Sequence, residues 1–169
     1  MIDIETLSTD PSALVVSIGA VRFGNRLGEE FYKPCFFQQK DRKMDISTIR
    51  WWMQQEEAGR NVFKEEAVSL REALIELRDF IDREDRIWAN GAIFDIGILQ
   101  NALTQYKQKL PWKYPNILCL RSIRAIHPEY DQLMNKLIRG ESASHNALDD
   151  AKCQAKALIL LSQLKDFKL

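Results

Sequence analysis

A mixed α/β sheet, its first three strands antiparallel and the later ones parallel, with helices on both faces, is the fold class that this sequence predicts. Three observations lead there. An alternating segment, Ile2–Leu7, precedes an apolar, β-branched run from Ala13 to Phe23. The turn residues Gly24 to Gly28 join that run to a third extended stretch. From Ser69 onward, short apolar segments alternate with stretches of helical period, which is the pattern of strand–helix–strand units.

The first strand carries Asp3-Ile4-Glu5. Side chains alternate faces along a strand, so Asp3 and Glu5 share one side while Ile2 and Ile4 take the other. Two neighbouring carboxylates repel each other unless a cation lies between them, and an oxygen-liganded divalent ion is the usual solution. An exposed strand end with two solvated acids is the plainer reading of such a pair. The run Ala13–Phe23 is too apolar for an exposed strand and belongs in the sheet interior, with Gly19 marking a bulge or a close approach. The third strand is expected over Glu30–Phe37, with Pro34 placing it near an edge.

Asp45-Ile46-Ser47 supplies a cap for a helix running through Thr48–Met53 towards Ala58. Trp51 and Trp52 lie on it. Adjacent helix positions are ~100° apart, so one ring can pack inward while the other is offered to a ligand. Both rings packing partly under a neighbouring loop is the alternative. Ser69-Leu70-Arg71-Glu72 is a capping box, and Ala73, Leu74, Leu77, Phe80 and Ile81 form the apolar stripe behind it. Arg86–Ala89 reads as a short buried strand broken by Asn90-Gly91. Phe94-Asp95 then opens a helix, which places Asp95 just beyond the carboxyl end of a strand, where open α/β sheets bind ligands. An acid in a first helical turn also suits the helix dipole without any ligand.

Ile117–Cys119 is expected as the last strand, followed by a short helix with Arg121 and Arg124. His127–Ser144 has weak periodicity, and Gly140–Ser144 reads as a mobile loop. The final helix is expected from Asn146 to Leu164, with Ala147, Leu148, Ala151, Ala155, Leu158 and Ile159 as its core stripe. On a wheel of ~100° per residue, Asp150 sits ~110° from the stripe centre and Asp149 ~150° away. Asp150 is thus on the flank and Asp149 faces solvent. His145 precedes the helix, and an imidazole there is either a surface group or a residue able to exchange protons near neutral pH.

Length and composition exclude several classes. A chain of 169 residues suits one domain with a full core, here taken as 1–169. Its net charge is zero, so any nucleic-acid surface must be a local patch. No apolar run spans a bilayer and no secretory pattern is visible. Cys35, Cys119 and Cys153 are scattered and odd in number, which fits idle thiols in a reducing cytoplasm.

Asp-x-Glu on the first strand, an Asp at a strand–helix junction and His-x-x-x-x-Asp opening the last helix resemble the DEDDh group of 3′–5′ exonucleases, with their ribonuclease H-like, DnaQ-type fold. The stretches DIETLSTDPSALVVSIGAVRF, TIRWWMQQ, WANGAIFDIGIL and HNALDDAKCQA are most similar to the bacterial and phage branch that includes ribonuclease AS-like exoribonucleases. The resemblance implies that Asp3, Glu5, Asp95 and Asp150 bind two divalent cations, Mg²⁺ or Mn²⁺, and that His145 is the general base. It implies substrate contacts at Thr6, Leu7, Trp51, Trp52, Asn90, Phe94 and Arg121, although the branch favours Arg-Thr where this chain has Arg121-Ser122. The implied partners are the 3′ ends of single-stranded RNA or DNA, with RNA favoured, no membrane, and room for a homodimer. Three other readings are a DNA-directed 3′–5′ exonuclease of proofreading or phage type, a subunit acting mainly through a polymerase, and an inactive module that only holds nucleic-acid ends.

Overall fold

The computed structural model describes residues 1–138 and 145–169. Five strands form one mixed sheet in the order β3-β2-β1-β4-β5. These are β1 (Ile2–Thr6), β2 (Val15–Phe23), β3 (Leu27–Pro34), β4 (Ile87–Ala89) and β5 (Ile117–Cys119). β1 pairs antiparallel with β2, and β2 antiparallel with β3, while β1–β4 and β4–β5 are parallel. This is the mixed sheet expected of a ribonuclease H-like fold. β1 lies at its centre, so whatever β1 presents is flanked on both sides.

Seven helices surround the sheet among the described residues: α1 (Ile46–Gln54), α2 (Glu57–Arg60), α3 (Leu70–Phe80), α4 (Asp95–Gln105), α5 (Leu120–Ile126), α6 (Glu129–Ile138) and α7 (Ala147–Lys165). The alternation along β1 sorts them. Ile2 and Ile4 join a core with Leu70, Leu74 and Leu77 of α3 and Ile98, Leu99 and Ala102 of α4. On the opposite face, α7 packs through Ala151, Ala155, Leu158 and Leu161 against Val21, Trp88, Leu120 and Tyr130. Asp3 and Glu5 therefore face α7. A third cluster of Leu7, Leu14, Val16, Trp52 and Val62 closes the end of the sheet under α1.

Several boundaries differ from expectation for identifiable reasons. β3 starts at Leu27 because Gly24 N–H closes a tight turn onto the Arg26 carbonyl, and it stops at Pro34, after which Cys35 and Phe36 bond instead to Val16 and Val68. β2 starts at Val15 because Ala13 and Leu14 are engaged with Lys43 and Leu7. α1 begins at Ile46 and ends at Gln54, where the Gln55 N–H donates to the Trp52 carbonyl at 3.1 Å and its side-chain Nε2 to the Trp51 carbonyl at 2.9 Å. Asp45 precedes α1 but gives it no side-chain cap, since its carboxylate accepts from Ser8 Oγ at 2.5 Å. Ser69 does cap α3, accepting from Glu72 N–H at 3.1 Å. The stretch after His127, expected to be irregular, contains α6, whose Tyr130, Leu133, Met134 and Leu137 recur at helical spacing and join the α7 core. The loop expected over 140–144 lies outside the described residues.

Gly19 sits in β2 opposite Asp3. It marks a close approach, not a bulge: a Cβ there would lie 2.2 Å from the Ala147 carbonyl carbon and from Leu148 N. The first turn of α7 thus rests directly on the sheet, backbone to backbone. Only a residue without a side chain allows this. Gly19→Ala must push the start of α7 outward, and we expect it to cost about 3 kcal/mol or more in urea unfolding. A loss under about 1 kcal/mol would mean that the helix start adjusts freely.

Candidate active site

The close seat of α7 on β2 brings together groups that are remote in sequence. Asn146 caps α7, its Oδ1 accepting from Leu148 and Asp149 N–H at 3.0 and 3.2 Å. The cap fixes the first turn, which exposes Asp149 and leaves Asp150 half-buried, facing β1. Glu5, His145 and Asp150 each offer one ligand atom, and these atoms all lie within 4.8 Å of one another. His145 reaches that position with a φ of 48°, in the left-handed region that costs most residues on the order of 1 kcal/mol.

Asp95 enters from the other side of β1. It is 4% exposed at the first turn of α4, and its Oδ2 accepts from Gly91 N–H at 3.2 Å. The preceding turn is shaped for this by Gly91, since a Cβ there would lie 3.2 Å from the Arg121 guanidinium carbon. Arg121 is exposed, yet its charge reaches Asp95. Asn90 does something different: its side-chain oxygen accepts from Arg124 at 3.0 Å, linking the turn to α5.

The electrostatics are those of crowded acids. Burial pushes Asp3 well above the usual carboxylate range, and the charges of Asp95 and Asp150 push it further. Glu5 is raised for the same reasons, burial first and then Asp3, Asp150 and Asp95. Burial lifts Asp95 to about 6, against the pull of the Gly91, Ile4 and Asp95 N–H groups and of Arg121. Asp150 is raised by burial as well, opposed by His145. Such a set, all hard oxygen donors but for one imidazole, could hold a hard divalent cation.

Beside Glu5 lies a groove of about 390 Å³ whose walls include Ile4, Thr6, Ser47, Thr48, Trp51 and Phe94. The two tryptophans divide. Trp52 is 3% exposed and its indole N–H donates to the Thr6 carbonyl at 2.9 Å, whereas Trp51 is 41% exposed. Trp51 stands edge-on to Trp52 and to His145, with ring centroids 5.1 and 4.9 Å apart. Thr6 lines the groove but its hydroxyl is committed to the Ser8 carbonyl. Leu7 does not reach the groove. Its side chain is in the core, its N–H donates to Leu14 and its carbonyl accepts from Asp45.

One residue escaped the sequence reading. Gln154 is 6% exposed and donates from Nε2 to Asp3 Oδ1 at 2.8 Å. Its signal was its position, four residues after Asp150 and therefore on the same helix face.

Residues 1–161 match the 3′–5′ exoribonuclease Rv2179c-like domain, and the chain belongs to that family. No curated protein matches it. Among the described residues no helix is long and apolar enough to cross a membrane.

The raised acids make metal-free stability depend on pH. An acid whose pKa rises on folding contributes stability below its unfolded value, and that contribution is lost as pH climbs through the folded value. For Asp95 the window runs from 3.8 to about 6. In chelator, the protein should unfold more easily at neutral pH than near pH 5, by on the order of 1 kcal/mol from this one group. Asp95→Asn should flatten that slope in thermal melts at the two pH values. A wild-type melting temperature that climbs towards neutrality would contradict the assignment.

Proposed function

We propose that this chain is a metal-dependent 3′–5′ exonuclease of the DEDDh group, close to its ribonuclease AS-like branch. It would act as one domain, releasing nucleoside monophosphates from the 3′ end of single-stranded or overhanging nucleic acid, with RNA favoured. The observation that carries this reading is the convergence of Glu5, His145 and Asp150 within 4.8 Å beside the half-buried Asp3 and the buried Asp95. Membership of an exoribonuclease family supports the polarity of the reaction and the preference for RNA.

In this reading Asp3, Glu5, Asp95 and Asp150 would hold two divalent cations, Mg²⁺ or Mn²⁺. When bound, such ions neutralise charge on the scissile phosphate and make an attacking water more acidic. His145 takes the proton from that water, with its ring carried on the flank of the groove against Trp51. Arg121 is exposed beside Asp95 and meets a phosphate. Trp51 and Phe94, on the walls of the groove, hold the terminal base by stacking. Trp52 supports Trp51 from within. Asn90 acts through Arg124, and Thr6 contributes through its place in the groove wall.

The purified chain should be given labelled single-stranded RNA, single-stranded DNA and 3′-overhang duplexes, each with Mg²⁺ or Mn²⁺. The expected result is mononucleotide release that is fastest on RNA and absent in Asp3→Ala. His145→Ala should lower turnover about a hundredfold or more while binding Mn²⁺ as wild type does. Release of nothing by wild type with either ion would overturn the enzymatic reading, and a DNA preference would favour the proofreading or phage type.

Trp51→Ala should raise KM roughly tenfold with little change in kcat, since stacking is worth about 1–3 kcal/mol per base. An unchanged KM would remove Trp51 from the base-binding wall.

A further inference from the structure

Gln154 is a buried amide with one end engaged and the other not. Its Nε2 donates to Asp3 Oδ1 at 2.8 Å, while its Oε1 is buried without a partner among the described residues. The backbone around it is fixed, because the Gln154 carbonyl accepts from the Tyr130 hydroxyl at 3.0 Å and Tyr130 is itself fully buried between α6 and α7. The stem therefore has little freedom, and the amide plane is set by its one hydrogen bond. A buried acceptor left unmatched costs about 1–3 kcal/mol, so an arrangement that keeps one calls for a donor that belongs at the site, such as water.

Asp3 needs such a holder. β1 sets its Cα, but a short carboxylate still rotates about its terminal bond, and three other acids lie around it to repel it. The donor from Gln154 ties Oδ1 down and leaves Oδ2 for other partners. A carboxylate that ligates a cation must present its oxygens in a set direction, and hydrogen-bonded neighbours of metal-ligating groups set that direction in general.

We infer that Gln154 is a positioning residue for the metal site, holding the carboxylate of Asp3 in one orientation so that the site binds divalent cations tightly before substrate arrives. The inference rests on the reading of Asp3 as a metal ligand. It concerns geometry, and α7 thereby contributes twice from one face: Asp150 as a ligand, and Gln154 one turn later as the guide for a ligand on β1.

The test uses the purified full chain without substrate. Gln154→Met keeps the length and the packing of the side chain but removes the amide. Gln154→Asn keeps the amide but withdraws it by one methylene. For each variant the melting temperature is measured in chelator, and Mn²⁺ binding is followed by titration calorimetry. The expected result is a melting temperature close to that of wild type together with Mn²⁺ affinity reduced about ten- to a hundredfold. On RNA, kcat at a fixed sub-saturating Mn²⁺ concentration should fall while KM for RNA stays unchanged, and excess Mn²⁺ should restore most of the loss. If Gln154→Met fails to fold, Gln154→Asn decides alone. A folded variant that binds Mn²⁺ as tightly as wild type overturns the inference, and so does an affinity loss that only tracks a lowered melting temperature. Wild type that binds no Mn²⁺ at all would instead defeat the proposed function on which the inference stands.

Discussion

Mutual repulsion among four half-buried or buried carboxylates is the constraint on which the rest of this structure depends. Asp3, Glu5, Asp95 and Asp150 all have pKa values raised by burial, and three of them are raised further by one another or by a neighbouring acid. A fold gains nothing by gathering these groups; the core would be more stable with apolar residues in their place. What keeps them together is backbone. β1 is central in the sheet, α4 starts where β4 ends, and α7 lies directly on β2 because Gly19 has no side chain. The stabilising contacts sit one layer away from the acids, in the cores under α3, α4 and α7. The arrangement makes the acid cluster an excess load carried by a conventional α/β frame, which is the usual sign of a functional site.

Much of this was legible in the amino-acid sequence, because it depends on periodicity. The alternation in Ile2–Thr6 separates acids from core residues with a period of two, and the apolar run of β2 requires an interior strand. The wheel places Asp150 on the flank and Asp149 outward, and the two differ in burial accordingly. Less legible were features fixed by tertiary contacts. The end of β3 depends on what Cys35 and Phe36 find beyond Pro34, and α6 offers only a few apolar positions to a pattern search in an otherwise charged and polar stretch. Leu7 illustrates the same limit. Its position after Glu5 suggests the groove, but the register shift between Glu5 and Thr6 and the bonds to Leu14 and Asp45 turn it into the core.

The tryptophan pair shows how a local rule becomes a functional division. Neighbouring positions on a helix cannot share a pocket, so burial of Trp52 leaves Trp51 on the surface by geometry alone. Trp52 is not simply filler. Its N–H holds the Thr6 carbonyl, tying α1 to the end of β1 next to Glu5. The exposed ring then has a rigid floor, and His145 stands against it edge-on. An aromatic surface with this support can receive a flat apolar partner at little entropic cost, because its own side chain is already immobilised.

Placement of the histidine completes the physical argument. Asp3, Glu5, Asp95 and Asp150 lie on strands or in the first turns of helices, where backbone hydrogen bonds hold their positions. His145 precedes the cap of α7 with a positive φ, a conformation that the regular elements exclude. A ligand for a hard cation benefits from rigidity, since the coordination geometry tolerates little error. A group that takes a proton and then loses it benefits from a position at the boundary of the frame, in reach of both the acids and solvent. His145 has that position: it is half-buried, within 4.8 Å of Glu5 and Asp150 through its ligand atom, and beside the exposed Trp51. The same chain segment thus offers two kinds of position, a fixed acid in the first turn of α7 and a histidine before its cap at the edge of the frame.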